Sequence, residues 1–164
     1  MSFLYKNIRY PTIIYIDKQE SYNMKKDNCP YCYKGESLAK FGYLAFETEY
    51  SFVIVFKDQS HKGRMVVAYK KDHVGELKDL SIEERNGFMN DVVNVAKAID
   101  KAYHPDRINY GAYGDTLGHL HFHLVPKYKD GFEWNGTFAM NTGNLVSEEE
   151  CKKVAKKIKD NFIE

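Results

Sequence analysis

Three histidines stand at alternate positions in Gly118-His119-Leu120-His121-Phe122-His123-Leu124-Val125-Pro126. A β-strand sends successive side chains to opposite faces, so this spacing places His119, His121 and His123 on one face and Leu120, Phe122 and Leu124 on the other. A helix would rotate the rings by about 100° per residue and scatter them. Imidazole is costly to bury and titrates near neutral pH, so three on one face point to a site rather than to packing. Gly118 and Pro126 punctuate the strand. A second chemically competent stretch is Cys29-Pro30-Tyr31-Cys32. The chain has three cysteines, too few for a disulfide framework, and Cys-x-x-Cys reads as a redox pair or as half of a zinc site. The zinc reading needs two further ligands, for which His73 and His119 are candidates. Cys151 falls on an apolar helical stripe and reads as a small buried hydrophobe.

The elements that must position these groups are legible around them. Gly42 to Glu47, Ser51 to Phe56 and Arg64 to Tyr69 are rich in β-branched and aromatic residues and read as three strands. Short polar links make neighbouring strands antiparallel. Ser81-Ile-Glu-Glu84 is a capping box, and the apolar spacing after it predicts a helix from Ile82 to Tyr103, ended by His104-Pro105. Arg107 to Tyr113 is a fourth strand and the histidine stretch a fifth. Ser147-Glu-Glu-Glu150 is a second capping box, opening an amphipathic helix whose stripe is Cys151, Val154, Ala155, Ile158 and Phe162. The fold class is α+β: an antiparallel sheet of about five strands with one long helix and a C-terminal helix.

His119-Leu-His121-Phe-His123-Leu-Val resembles the signature of the histidine triad (HIT) superfamily of nucleotide hydrolases and transferases. The resemblance runs from Cys29 to the C-terminal helix, leaving residues 1–28 as an N-terminal arm and 29–164 as the domain. It implies that His121 is the nucleophile, with His119, His123 and Thr116 completing the catalytic set. It implies nucleotide contacts from Tyr31, Phe56, Asp58, Asn109, Thr116, His121 and His123. Phe56-Lys57-Asp58 resembles an aromatic-x-Asp element in which the carboxylate accepts the ribose hydroxyls. A branch of the family, and the related galactose-1-phosphate uridylyltransferases, carry a structural zinc on two Cys and two His. By that resemblance the ligands are Cys29, Cys32, His73 and His119. Asn109 through Thr116 looks like the family's phosphate loop, with Asp115 where Gln or Asn often stands; its charge should repel a phosphate. Phe132 to Phe138, which holds the only tryptophan, Trp134, resembles a tail segment of dinucleoside polyphosphate hydrolase-like members. Homodimers with a continuous sheet are common in the family and are expected here.

The implied reaction is attack by His121 on the α-phosphorus of a dinucleoside polyphosphate or nucleoside phosphoramidate, with an AMP-type product released by water. A phosphorylase or transferase at the same site and a non-catalytic adenylate-binding module are the alternatives. Cys-Pro-Tyr-Cys also resembles the glutaredoxin active site, but such a fold wants a strand before the first Cys and a long helix starting at it. A net charge of +1 gives no argument for nucleic acid, and no apolar run approaches a membrane span. The N-terminus lacks a signal-peptide pattern, so a cytoplasmic protein is expected. Thr12 to Ile16 could form a short strand in the arm.

Overall fold

The computed structural model describes residues 28–163; residues 1–27 of the N-terminal arm, with the strand expected at Thr12 to Ile16, lie outside the described residues. Two short helices, α1 (Pro30–Tyr33) and α2 (Gly35–Ala39), lead into β1 (Gly42–Glu47), β2 (Ser51–Phe56) and β3 (Met65–Tyr69). A 3-10 turn (Leu77–Asp79) precedes α3 (Ile82–Tyr103), followed by β4 (Arg107–Gly111), β5 (His121–Lys127) and α4 (Glu148–Asn161). The five strands form one antiparallel sheet in the order β1-β2-β3-β5-β4.

The long crossover between β3 and β5 carries α3 and β4. It leaves β2 and β3 central, which is why both are buried along nearly their whole length. Val53, Val55, Met65, Val67 and Leu124 pack on one side with Phe88, Val92, Val95 and Ile99 of α3 and Cys151 and Ile158 of α4. Ile54, Val66 and Ala68 face the other way, toward Cys29, Tyr31 and Leu38. Asp91 of α3 is buried but accepts from Thr48 Oγ1 (2.5 Å), Ser51 Oγ (2.8 Å) and Tyr50 N (3.2 Å), which ties the helix to the β1–β2 turn. A buried carboxylate is tolerated when its lone pairs are satisfied in this way.

The capping box on α3 forms in both directions between Ser81 and Glu84. On α4 only half of the second box forms. Ser147 Oγ accepts from Glu150 N at 3.3 Å, while the Glu150 carboxylate turns to Lys153 at 2.6 Å. The histidine strand begins at His121, two residues later than the alternation suggests. Gly118 sits at φ 55°, and Leu120 is tied instead to the end of β3 and the chain beyond it: its N–H donates to the Val74 carbonyl (2.7 Å) and its carbonyl accepts from Tyr69 N (3.0 Å). β3 and β4 are likewise shorter than their apolar runs, starting at Met65 and ending at Gly111.

Between β5 and α4, residues 128–146 fold back over the histidine face as a strap. Lys127, 2% exposed, donates to the carbonyls of Glu133 (2.7 Å) and Gly136 (3.4 Å). The Glu133 carboxylate holds His61 Nε2 (2.9 Å) and the Ala139 N–H (3.0 Å). Val146 N donates to the Lys57 carbonyl at 3.0 Å, which closes the strap onto the end of β2.

Candidate functional site

Cys29 caps α1, with Pro30 at the first helical position. One turn of helix brings Cys32 back beside Cys29, and the two sulfurs meet two histidines from distant parts of the chain. Cys29 Sγ lies 3.4 Å from His119 Nδ1, and Cys32 Sγ lies 3.4 Å from His73 Nδ1 and 3.6 Å from His119 Nδ1. The two Nδ1 atoms are 3.2 Å apart, and one ligand atom from each of the four residues falls within 4.8 Å of the others. Ligand bonds of 2.3 Å to sulfur and about 2.05 Å to nitrogen in a tetrahedron place S and N about 3.6 Å apart and two N about 3.3 Å apart. The cluster matches that spacing. His119 Nε2 donates to the Tyr69 carbonyl at 2.7 Å, which leaves Nδ1 bare for the cluster. These four residues could hold a metal ion. The short α1, ending at Tyr33, is not the long helix that a redox Cys-x-x-Cys requires.

His119 thus has no nitrogen left for a substrate, a correction to its expected catalytic place. It acts on the next histidine through its backbone: His121 Nδ1 donates to the His119 carbonyl at 2.6 Å. That bond fixes the tautomer and leaves Nε2 of His121 with a lone pair. Burial holds His121 below the ordinary histidine value, against the pull of that carbonyl, so the ring is neutral at pH 7. His123 is 1% exposed; burial first, then the Arg64 charge, push it down to about 2. The His121 and His123 rings meet edge-on with centroids 5.2 Å apart.

Aromatic rings wall the pair. Tyr31 packs against both His119 (5.2 Å) and His121 (5.0 Å), and Phe56 meets His123 edge-on at 5.1 Å. Gly111 lies opposite His123 in the register. A Cβ there would come within 2.5 Å of the Tyr113 ring and 2.7 Å of Phe138, so only glycine lets those two rings close over His123. Beside His121 a cavity of about 720 Å³ opens between residues 73–79 and residues 112–121. Among the described residues its charged lining is Glu76, Asp79 and Asp115, and the nearby Lys78 is paired with Glu76 at 2.5 Å.

Other expected contacts are placed differently. Asp58 is 1% exposed and both oxygens are occupied: it accepts from Ser60 N (3.1 Å) and Ser60 Oγ (2.8 Å), and from Thr142 N (2.5 Å) and Thr142 Oγ1 (2.8 Å). Burial works against its ionisation, but the bonds from Thr142 and Ser60 outweigh burial and hold it below the usual 3.8. As folded, Asp58 anchors the strap. Thr116 is exposed in the turn before the triad and does not line the cavity beside His121. Asn109 shares the triad's sheet face but lines a separate 260 Å³ cavity with Lys127 and Trp134.

Sequence reasoning missed Arg64, Thr142 and Phe138. Arg64 is 1% exposed, lies 4.2 Å over the Phe56 ring and donates from Nη2 to His123 Nδ1 at 3.3 Å. A basic residue at the start of an apolar run reads as a solvated strand end, because arginine is rarely buried. Thr142 carries no local signal beyond its place in a polar loop.

The HIT domain family model matches residues 42–130. A bis(5'-adenosyl)-triphosphatase from Dictyostelium discoideum is 28% identical over 108 residues, spanning 63% of this chain and 72% of the relative. Among solved structures, a histidine triad (HIT) protein from Sinorhizobium meliloti 1021 superposes with TM-score 0.71 at 20% identity, covering 77% of this chain and 94% of the other. A zinc-bound histidine triad family protein from Mycobacterium smegmatis superposes with TM-score 0.59 at 17% identity, covering 83% and 94%.

Proposed function

The chain belongs to the HIT domain family, and on that premise we propose that it hydrolyses nucleotides at the α-phosphate, through a nucleotidyl intermediate on His121. The observation that carries this reading is the 2.6 Å bond from His121 Nδ1 to the His119 carbonyl, which leaves the opposite nitrogen of a buried, neutral ring beside a cavity. The Nε2 lone pair would form a P–N bond as the bond from phosphorus to the leaving group breaks. Water would then attack phosphorus, break the P–N bond, restore the lone pair and release a nucleoside monophosphate. His123 and backbone amides of the turn before the triad would stabilise charge on the pentacoordinate phosphorus. Tyr31 and Phe56 would form the apolar wall against which the nucleoside packs. Thr116 would join on closure of its turn over the ligand, whereas Asn109 is held in β4 beside a separate cavity.

Cys29, Cys32, His73 and His119 would hold zinc. The sulfur–nitrogen set and its spacing fit that ion, and the Mycobacterium smegmatis neighbour is zinc-bound. Four protein ligands close the shell, so the ion would hold α1 and Tyr31 against the triad and leave the reaction to the histidines. Thiol ligands of this kind persist in a reducing compartment such as the cytoplasm. Among the described residues no helix is long and apolar enough to cross a membrane. The edge of β4, unpaired among the described residues and with Tyr110 half exposed, is where a second copy would extend the sheet into a homodimer.

The relative from Dictyostelium discoideum supports a dinucleoside polyphosphate substrate. The carboxylates around the cavity favour a phosphoramidate with a basic amine as leaving group, since an anionic polyphosphate would meet Glu76, Asp79 and Asp115. The test is rapid acid-free quenching with α-labelled nucleotide. Label is expected on the wild-type protein and none on His121→Ala. Full turnover by His121→Ala would overturn the mechanism.

A further inference from the structure

Arg64 is a buried cation whose position simple packing does not explain. Among the described residues no carboxylate oxygen lies within 4 Å of it, and its Nε meets no acceptor. Leaving a guanidinium in such a place is costly, and an apolar side chain of similar volume would fill the space at less expense. What the guanidinium does contact is specific. Nη1 donates to the Ala139 carbonyl of the strap at 3.0 Å, and Nη2 donates to His123 Nδ1 at 3.3 Å. Its Cζ lies 4.2 Å from the Phe56 centroid and 5.1 Å from that of Phe138, so two aromatic faces hold the fork in one orientation.

A guanidinium has donors only. The Nδ1 atom that faces it must therefore be the acceptor, and the proton of the neutral His123 ring must sit on Nε2. We propose that Arg64 is the positioning residue for His123, locking it in the Nε2–H tautomer so that the triad offers the same phosphate one bare nitrogen and one N–H donor. This rests on the reading of His121 as nucleophile. The two rings are then complementary. The His119 carbonyl strips Nε2 of His121 of its proton, and Arg64 secures a proton on Nε2 of His123. His123 is then a donor without being charged. The fork also explains why the strap matters to the site: Ala139 and Phe138 hold the far side of the guanidinium. A lysine would supply charge without a planar fork, and would not fix the ring.

The experiment uses the full chain labelled with ¹⁵N-histidine. Two-bond ¹⁵N–¹H correlations report the tautomer of each ring without reference to activity. The wild-type protein is expected to show His123 as Nε2–H and His121 as Nδ1–H. In Arg64→Met and Arg64→Lys, His123 should become a mixture of tautomers while His121 and His119 keep theirs. With an AMP phosphoramidate substrate, kcat should fall about 100-fold, in the range for removing a positioned donor from a phosphoryl or acyl oxyanion, with KM within about 3-fold. Arg64→Lys serves if Arg64→Met does not fold, and bound metal and thermal melting establish the fold of each. A wild-type His123 found as Nδ1–H overturns the proposal. So does a His123 tautomer, or a kcat, that neither variant moves. If the wild-type protein turns over no nucleotide, the hydrolase reading fails, and the tautomers still decide whether Arg64 orients the ring.

Discussion

Asp58→Asn separates two roles for the carboxylate at the end of β2. The resemblance implies that Asp58 holds a ribose, whereas the structure engages it with Ser60 and Thr142. The amide keeps one acceptor oxygen for one partner and turns an NH₂ group toward donors of the other. Two charge-assisted bonds are lost, each worth about 1.5–3 kcal/mol net, and solvent relaxation of an exposed loop recovers part. We expect about 3 kcal/mol of destabilisation, equivalent to a fall in Tm of about 6–12 °C for a chain of this size. Thr142→Val removes one of the donors and should cost about 1 kcal/mol; in the double variant the two changes should couple by about 1 kcal/mol or more, since they share one contact. Circular dichroism gives the melting, and emission from Trp134, the only tryptophan, reports the strap that carries it. A Tm within about 2 °C of wild type, joined to a tenfold rise in KM, would refute the anchoring argument and return Asp58 to the ribose.

Three further outcomes follow from the same geometry. Cys29→Ala or Cys32→Ala should abolish stoichiometric metal in the purified protein and cost about 5 kcal/mol or more of stability, measured by elemental analysis and calorimetry; unchanged melting after chelation would count against a structural ion. The folded-state pKa of Asp58 lies below 3.8, so its stabilising contribution is complete above that value and is lost as pH falls through the folded one. The strap should loosen in that acid window by Trp134 emission, and Asp58→Asn should remove this component. Neutralising the cavity with Glu76→Gln and Asp115→Asn should raise kcat/KM for diadenosine polyphosphate about 3- to 10-fold, from roughly 1 kcal/mol of relieved repulsion near a protein surface. Steady-state assays should show a fall for a phosphoramidate with a basic amine, whose charge the carboxylates attract. Equal changes for both substrates would remove charge as the selector.

Periodicity and residue type are local properties, and they set much of this protein. The alternation through His119–His123 and the β-branched runs of β2 and β3 specify which faces are apolar. Ser81 and Glu84 mark where α3 starts. The four residues of the candidate metal site are legible for a different reason: few residue types bind a metal tightly, and a resemblance was enough to gather them although Cys29 and His119 stand 90 positions apart. Arg64 and His123 are 59 positions apart and Asp58 and Thr142 are 84, and neither pair has residue types that announce a partner. Arginine, threonine and aspartate are ordinary on a surface; only the closing of the strap over the sheet removes water from them and makes each contact obligatory. That is why the strand and the sulfur–nitrogen cluster that could hold a metal belong to the sequence, while the tautomer of His123 and the occupancy of Asp58 were decided by the tertiary structure.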